Sequence, residues 1–180
     1  MRLFAAILFD DATTSNLVAL QDDLRQRCGD GNYSRPVNLH LTLAFLDECD
    51  QGETKAAIGA LQDVDFAAFT LVIDGVGLLS QHGHTLGVAQ VAQNGQLLTV
   101  RRLLTRALRQ RGCDFDQHQF TPHITLARRL PPGTVPWSVE PFAQSVERIH
   151  LMVSERIGTV QGGSGDLSYR SICQQVAQIH

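Results

Sequence analysis

Two short phrases carry the polar chemistry of this chain: HLTLAF at residues 40–45 and HITLAR at residues 123–128. Each reads His, aliphatic, Thr, Leu, Ala. Side chains on a β-strand alternate between faces, so His40, Thr42 and Ala44 share one face, as do His123, Thr125 and Ala127. Leu41, Leu43 and Phe45 fall on the opposite face, with Ile124 and Leu126, and suit a core. Residues two apart stand about 6.6 Å apart along a strand. An imidazole and a hydroxyl at that spacing can touch one small ligand, and the alanines leave room beside them. If the two polar faces oppose each other across a groove, the site holds two imidazoles and two hydroxyls. An unperturbed histidine titrates near ~6.5, so one ring can take a proton while the other gives one. The threonine hydroxyls can donate to the oxygens of an anion. The matching chemistry is in-line displacement at phosphorus, with a base on one side and an acid on the other.

One such phrase alone reads as a hydrogen-bonded histidine on a half-buried strand. The repetition of His-x-Thr-Leu favours a shared site.

The elements that position the phrases follow from hydrophobic period. Residues 2–9 read as a buried strand, and 14–27 as a helix through Leu17, Leu20 and Leu24. CGDGNYSRP at 28–36 is a loop. The first motif strand covers 38–46. A helix at 53–64 has Ala56, Ile58 and Leu61 as apolar positions. Strands at 69–77 and 85–92 flank a hairpin turn near 81–84. The helix at 95–111 has Leu97, Leu98, Leu104 and Leu108 on one side, and Gly112 stops it. The second motif strand covers 119–128, and PPGTVPW at 131–137 is a loop. A last strand pair, 146–154 and 167–177, is joined through the Gly-rich QGGSG at 161–165. Links between several strands are too short for parallel crossovers, so the sheets are mainly antiparallel and the fold is α+β.

The 180 residues suffice for one domain or two packed lobes, and the 43% hydrophobic and 18% charged content is that of a globular protein. Cys28, Cys49, Cys113 and Cys173 are scattered without a CxxC, which fits reduced thiols in a cytoplasmic protein. The apolar run of MRLFAAILFDD is cut off by Asp10 and Asp11 and lacks a cleavage site, so it reads as a strand rather than a leader. No run is long enough to span a membrane. The net charge of −3 argues against a large nucleic-acid footprint. Lys55 is the single lysine and the other cations are arginines, whose forked guanidinium suits phosphate. Arg101, Arg102, Arg106, Arg109 and Arg111 crowd the 95–111 helix, as a solvated face or as a phosphate-facing patch.

The paired motifs resemble those of the 2H phosphoesterase superfamily, and more narrowly its RNA 2',3'-cyclic phosphodiesterase branch, also called the 2'-5' RNA ligase family. The resemblance covers most of the chain: RLFAAI at the start, NLHLTLAFL at 38–46, FTPHITLARR at 120–129, and LMVSE followed by a Gly-rich hairpin and a strand bearing Tyr169. It implies a single bilobal α+β domain over 1–180, two mainly antiparallel sheets facing a central cleft, helices outside, and one HxT motif per lobe. It implies hydrolysis of RNA 2',3'-cyclic phosphate ends to 2'-phosphate ends, with no metal and no cofactor. His40 is then the acid that protonates the leaving 3' oxygen, His123 the base that activates water, and Thr42 and Thr125 hold the phosphate. A 5'-hydroxyl in place of water would give 2'-5' ligation. The implied partner is an RNA end or a nucleotide. No heptad or large exposed apolar stripe is evident in the sequence, so a monomer is the default. The branch commonly has an arginine where Arg128 stands. Strict alternation puts Arg128 on the face opposite His123, so it helps only if the strand ends or bulges there. Arg129 has the right parity but points to solvent.

The chain also departs from the branch. The loop GNYSRPV is short, Asp47, Glu48 and Asp50 follow the first motif where the branch often has Gly, and SQHGH at 80–84 is short and histidine-bearing. Three other readings stay open. His82 and His84, with His118, could be argued as a metal site, though the spacing is not that of a zinc motif. The same cleft could bind a nucleotide or RNA end without turning it over. A related enzyme could act on a small cyclic phosphate instead.

Overall fold

The alternation of apolar and polar residues along short segments resolves, among the described residues, into nine strands and three helices. The computed structural model describes residues 1–157 and 166–178; QGGSG lies outside the described residues. In chain order they are β1 (Arg2–Leu8), α1 (Asp11–Cys28), β2 (Asn32–Tyr33), a 3-10 turn (Pro36–Asn38), β3 (His40–Glu48), α2 (Gln51–Gln62), β4 (Phe69–Gln81), β5 (His84–Val91), α3 (Gly95–Gln110), β6 (His123–Leu130), β7 (Trp137–Val146), β8 (Arg148–Ile157) and β9 (Asp166–Val176). Each helix begins where a short polar side chain satisfies a free N–H: Asp10 for α1, Asp50 with Glu53 as a reciprocal box for α2, and Asn94 for α3. The hairpin between β4 and β5 turns on His82 and Gly83, both at positive φ, which matches the twist of the flanking strands.

The strands order as β7-β4-β5-β6-β3-β1-β8-β9, with β2 added to β6. Every ladder between these strands is antiparallel. The fold is α+β. The half containing β6 joins the half containing β3 through one residue pair, Leu41 with Ile124. α1 packs across β5, β6 and β7, whereas α2 packs on β8, β9 and α3, and α3 also meets β3 and β4. A single core runs beneath both halves, through Leu17, Leu24, Leu41, Leu43, Leu61, Ile73, Leu104 and Ile124. Each such aliphatic side chain stabilises the fold by about 1.5–3 kcal/mol.

Several sequence expectations are corrected. β7 fills the stretch between the expected 131–137 loop and the expected strand at 146–154, where no element was anticipated. Its polar alternation is interrupted by Pro141, which an edge strand tolerates at a bulge, and the β4 register skips there between Ile73 and Gly75. Leu98 is 53% exposed; the buried face of α3 uses Val100, Thr105 and Ala107 beside Leu97, Leu104 and Leu108. Three of the five arginines in and just after α3 contact other parts of the fold. Arg101 and Arg109 lie over Phe115, Arg101 also over Phe120, and Arg111 bonds Asp63.

The most consequential correction lies within the motifs. On β3, Ala6 pairs with Thr42 but Ala5 pairs with Ala44, so Leu43 is an extra residue. On β6, Val88 pairs with Thr125 but Gly87 pairs with Ala127, so Leu126 is extra. Both bulges fall three residues after the histidine. A bulge exchanges the faces beyond it. Ala44 and Ala127 therefore enter the core, while Phe45 and Arg128 turn to the same side as the histidines.

The β6 bulge is braced by a buried polar side chain. Gln21 of α1 is 4% exposed, and its Nε2 donates to Ser34 O and Leu126 O, each at 2.8 Å. Ser34 adds its own N–H to Leu126 O and its hydroxyl to Thr125 O. Gln21→Leu strips one donor from each carbonyl, at about 1–3 kcal/mol. For a chain of this size each kcal/mol lowers Tm by roughly 2–4 °C. Thermal melts should show Gln21→Leu several degrees below wild type, with the exposed Asp23→Leu in the same helix within about a degree or two. Equal melting of all three would remove the bracing role.

Candidate active site

The motif strands meet antiparallel at Leu41 and Ile124, the residues that follow the two histidines. Continued in either direction, that register faces His40 toward Thr125 and Thr42 toward His123. All four side chains line one cleft of about 560 Å³, together with Arg2, Phe4, Phe45, Gln81, His82, Asp116, Arg128 and Tyr169. The cleft lies on the face of the sheet opposite the main core. On β1, Leu3, Ala5 and Ile7 enter that core, while Phe4 and Ala6 pack with Met152 under the cleft.

Each imidazole is oriented by its own chain. His40 Nδ1 lies 2.7 Å from Asn38 O, and His123 Nδ1 lies 2.7 Å from Thr121 O. A carbonyl can only accept, so each Nδ1 carries the hydrogen and donates it. In the neutral rings Nε2 is then unprotonated and free for proton transfer. His40 Nε2 lies 3.1 Å from Thr42 Oγ1. Phe4 and Tyr169 pack on the His40 ring, with centroids at 4.8 and 5.2 Å.

The electrostatics of His40 follow from its surroundings. Burial pushes its pKa below the usual 6.5, the Asn38 carbonyl opposes that shift, and Arg128 and His123 lower it further. Arg128 reaches the same space and is tethered by a hydrogen bond from its Nη1 to Gln81 Oε1, at 3.3 Å. Its placement answers the parity question: the strand bulges. Arg129 is exposed and adopts a positive φ. Asp47, in the acidic stretch after the first motif, also has a positive φ, of 62°, and holds Arg2 Nε at 3.1 Å.

Three features of the site escaped the sequence reading. Asn38 places its carbonyl against His40 and anchors the 3-10 turn by donating from Nδ2 to Leu167 O at 2.8 Å. Phe45 and Tyr169 line the cleft. Only the repeated offset of two residues, Asn38 before His40 and Thr121 before His123, hinted at the first.

A second groove of about 370 Å³ opens from the same centre, sharing His40, Thr125, Arg128, Leu167 and Tyr169. It adds Asn32, Tyr33, Ser34, Arg35, Asn38 and Arg156. No α3 arginine lines either space. Among the described residues, no group of three or more His, Cys, Asp or Glu is placed to hold a metal ion, and His118 instead lies 2.7 Å from Asp116. All four cysteines are free thiols. No described helix is long and apolar enough to cross a membrane.

The chain is similar to known proteins. A family model described as the 2'-5' RNA ligase superfamily matches residues 12–158. A protein of Archaeoglobus fulgidus named RNA 2',3'-cyclic phosphodiesterase is 29% identical over 129 residues, covering 71% of this chain and 72% of its own. One of the same name from Escherichia coli K12 is 34% identical over 114 residues, covering 58% and 64%. The crystal structure of E. coli LigT complexed with 3'-AMP superposes with a TM-score of 0.79 at 22% identity, over 99% of this chain and 98% of that one. The family match spans most of the chain and both motifs, and the protein belongs to the 2'-5' RNA ligase superfamily of 2H phosphoesterases.

Proposed function

We propose that the chain works as one bilobal unit that hydrolyses RNA 2',3'-cyclic phosphate ends to 2'-phosphate ends. The observation that carries this reading is the pair of imidazoles, each locked by a backbone carbonyl at Nδ1, that line one cleft beside two threonines and an arginine. Binding an anion requires donors only. A pair of rings with free Nε2 atoms suits proton transfer at both ends of a displacement. The names of the two curated relatives support the same substrate, and the 3'-AMP held by LigT supports a nucleotide in the cleft.

The step balances without a metal or cofactor. His123 Nε2 takes a proton from water as the water oxygen bonds to phosphorus. The P–O3' bond breaks, and the 3' oxygen takes the proton carried by His40 Nε2. The products are a 2'-phosphomonoester and a free 3'-hydroxyl. His123 is left charged and His40 neutral, and exchange with solvent resets both. Thr42, Thr125 and Arg128 donate to the non-bridging oxygens, where charge gathers. A 5'-hydroxyl replacing water would give a 2'-5' linkage by the same proton transfers.

The decisive assay incubates the protein, in excess EDTA, with a short RNA ending in a 2',3'-cyclic phosphate and identifies the product by phosphorus NMR. A 2'-phosphate is the expected result. Binding without turnover would make the protein a binding module, and turnover of cyclic mononucleotides alone would move the substrate to small cyclic phosphates. His40→Ala and His123→Ala should each lower kcat by roughly 10²–10⁴-fold, with smaller effects on KM. The double variant should not multiply the losses, because the pair acts as a unit. Near-normal turnover by either single variant would sink the assignment.

The direction of the His40 shift gives a further check. Burial disfavours its charged form, so in the empty cleft it loses its proton below pH 6.5. A bound phosphate is an opposite charge and must raise that value. NMR titration of the ring should therefore show a midpoint below 6.5 in the free protein that moves up on adding 2'-AMP. A midpoint that stays put would remove His40 as the acid. Turnover should be bell-shaped in pH, with limbs that belong to the coupled pair.

A further inference from the structure

The two grooves that meet at the histidines differ in composition, and the difference assigns a direction to the substrate. The larger cleft is lined by both histidines and mixes Arg2 with Asp116 and the apolar Phe4, Phe45 and Leu86. The second groove contains His40 but not His123. Beyond the shared centre it adds Arg35 and Arg156 with Tyr33 and Ser34, and no carboxylate among the described residues that line it. It is built onto the motif strand itself, since β2 pairs Asn32 with Arg128 and Tyr33 with Ala127. Tyr33 is held in place by its hydroxyl donating to Gly29 O and by Arg25 stacked on its ring at 4.1 Å. A fixed wall carrying guanidiniums, with Arg128 at its inner end, suits a polyanion rather than a single base.

In-line geometry points the same way. The entering oxygen and the leaving 3' oxygen lie on opposite sides of phosphorus. With His123 activating the water and His40 protonating the 3' oxygen, the ribose that bears that oxygen sits toward His40. The rest of the RNA is attached to that ribose, so it departs on the His40 side. We propose that the groove of Tyr33, Ser34, Arg35 and Arg156 is the track for the phosphodiester backbone of the RNA body. The part of the larger cleft around His123, which the second groove does not reach, is left to the entering nucleophile. This assignment rests on the acid and base roles proposed above. A guanidinium has five donors, so each arginine can serve a phosphate while keeping a protein partner.

The test compares two substrates, 2',3'-cyclic AMP and a pentanucleotide ending in a 2',3'-cyclic phosphate. The variants are Arg35→Gln with Arg156→Gln, and the charge-retaining Arg35→Lys with Arg156→Lys. The glutamine pair should lower the ratio of kcat/KM for the pentanucleotide to that for cyclic AMP by roughly tenfold or more, since only the longer substrate places backbone phosphates against these guanidiniums. The slope of log kcat/KM against log salt should flatten by roughly 0.7 for each phosphate left without its cation. The lysine pair should recover most of the slope. An unchanged ratio, or equal losses on both substrates, would overturn the track. If wild type turned over neither substrate, the hydrolytic reading would fail by itself. The track would then stand or fall on anisotropy titrations of a 2'-phosphorylated pentanucleotide. A salt slope identical in wild type and the glutamine pair would end it.

Discussion

The site depends on one antiparallel contact, Leu41 opposite Ile124. These residues occupy the same place in the two motifs, so their pairing sets the motifs in two-fold relation. Each histidine is brought toward the other motif's threonine. A one-residue slip would turn one polar face into the core and one apolar face into the cleft, since strand faces alternate. The slip is blocked on both sides. Leu41 and Leu43 on one strand, and Ile124 and Leu126 on the other, are all at most 1% exposed, and the pair on the slipping strand would have to surface. The hydrophobic core therefore fixes the geometry of the site through register, since these four side chains lie on the face away from the cleft.

Orientation of the reactive atoms comes from the backbone. Both imidazoles donate Nδ1–H to the carbonyl two residues upstream. The carbonyl is as rigid as the turn that bears it, and in the first motif that turn is tied to β9 through Asn38 and Leu167. β9 also supplies Tyr169, which packs edge-on against His40. One strand thus holds the ring and the carbonyl that fixes the tautomer of the ring. Asn38 is a positioning residue in this sense.

The legible part of the fold was the part governed by period. Leu17, Leu20 and Leu24 marked α1, and the paired His-x-Thr phrases marked two strands whose first three residues face as alternation requires. Alternation failed at Leu43 and Leu126, because a bulge inserts one residue and leaves no trace in composition. Phe45 and Arg128, both five residues after a histidine, were therefore placed on the wrong face together. Repetition was the available clue: a shared irregularity in duplicated strands preserves the likeness of the motifs. Gln21 and Ser34 were silent for another reason. Their partners are backbone carbonyls far along the chain, and a carbonyl is present at every residue. β7 was missed because an edge strand carries a weak pattern, and Pro141 lies within it.

The lowered pKa of His40 and its hydrogen bond to Thr42 are two sides of one arrangement. With the ring neutral, Nε2 is an acceptor and the Thr42 hydroxyl is the donor across the 3.1 Å contact. That hydroxyl hydrogen is then unavailable to a phosphate. Protonation of Nε2 reverses the roles, because the imidazolium can only donate, and the Thr42 hydrogen is released toward the cleft. Burial, Arg128 and His123 hold the empty site in the first state. An anion between the two motifs favours the second, since it attracts the imidazolium and Arg128 and accepts the freed hydroxyl. Under the roles proposed for them, the acid and one of its phosphate donors would be armed by the same event, arrival of a negative charge in the cleft.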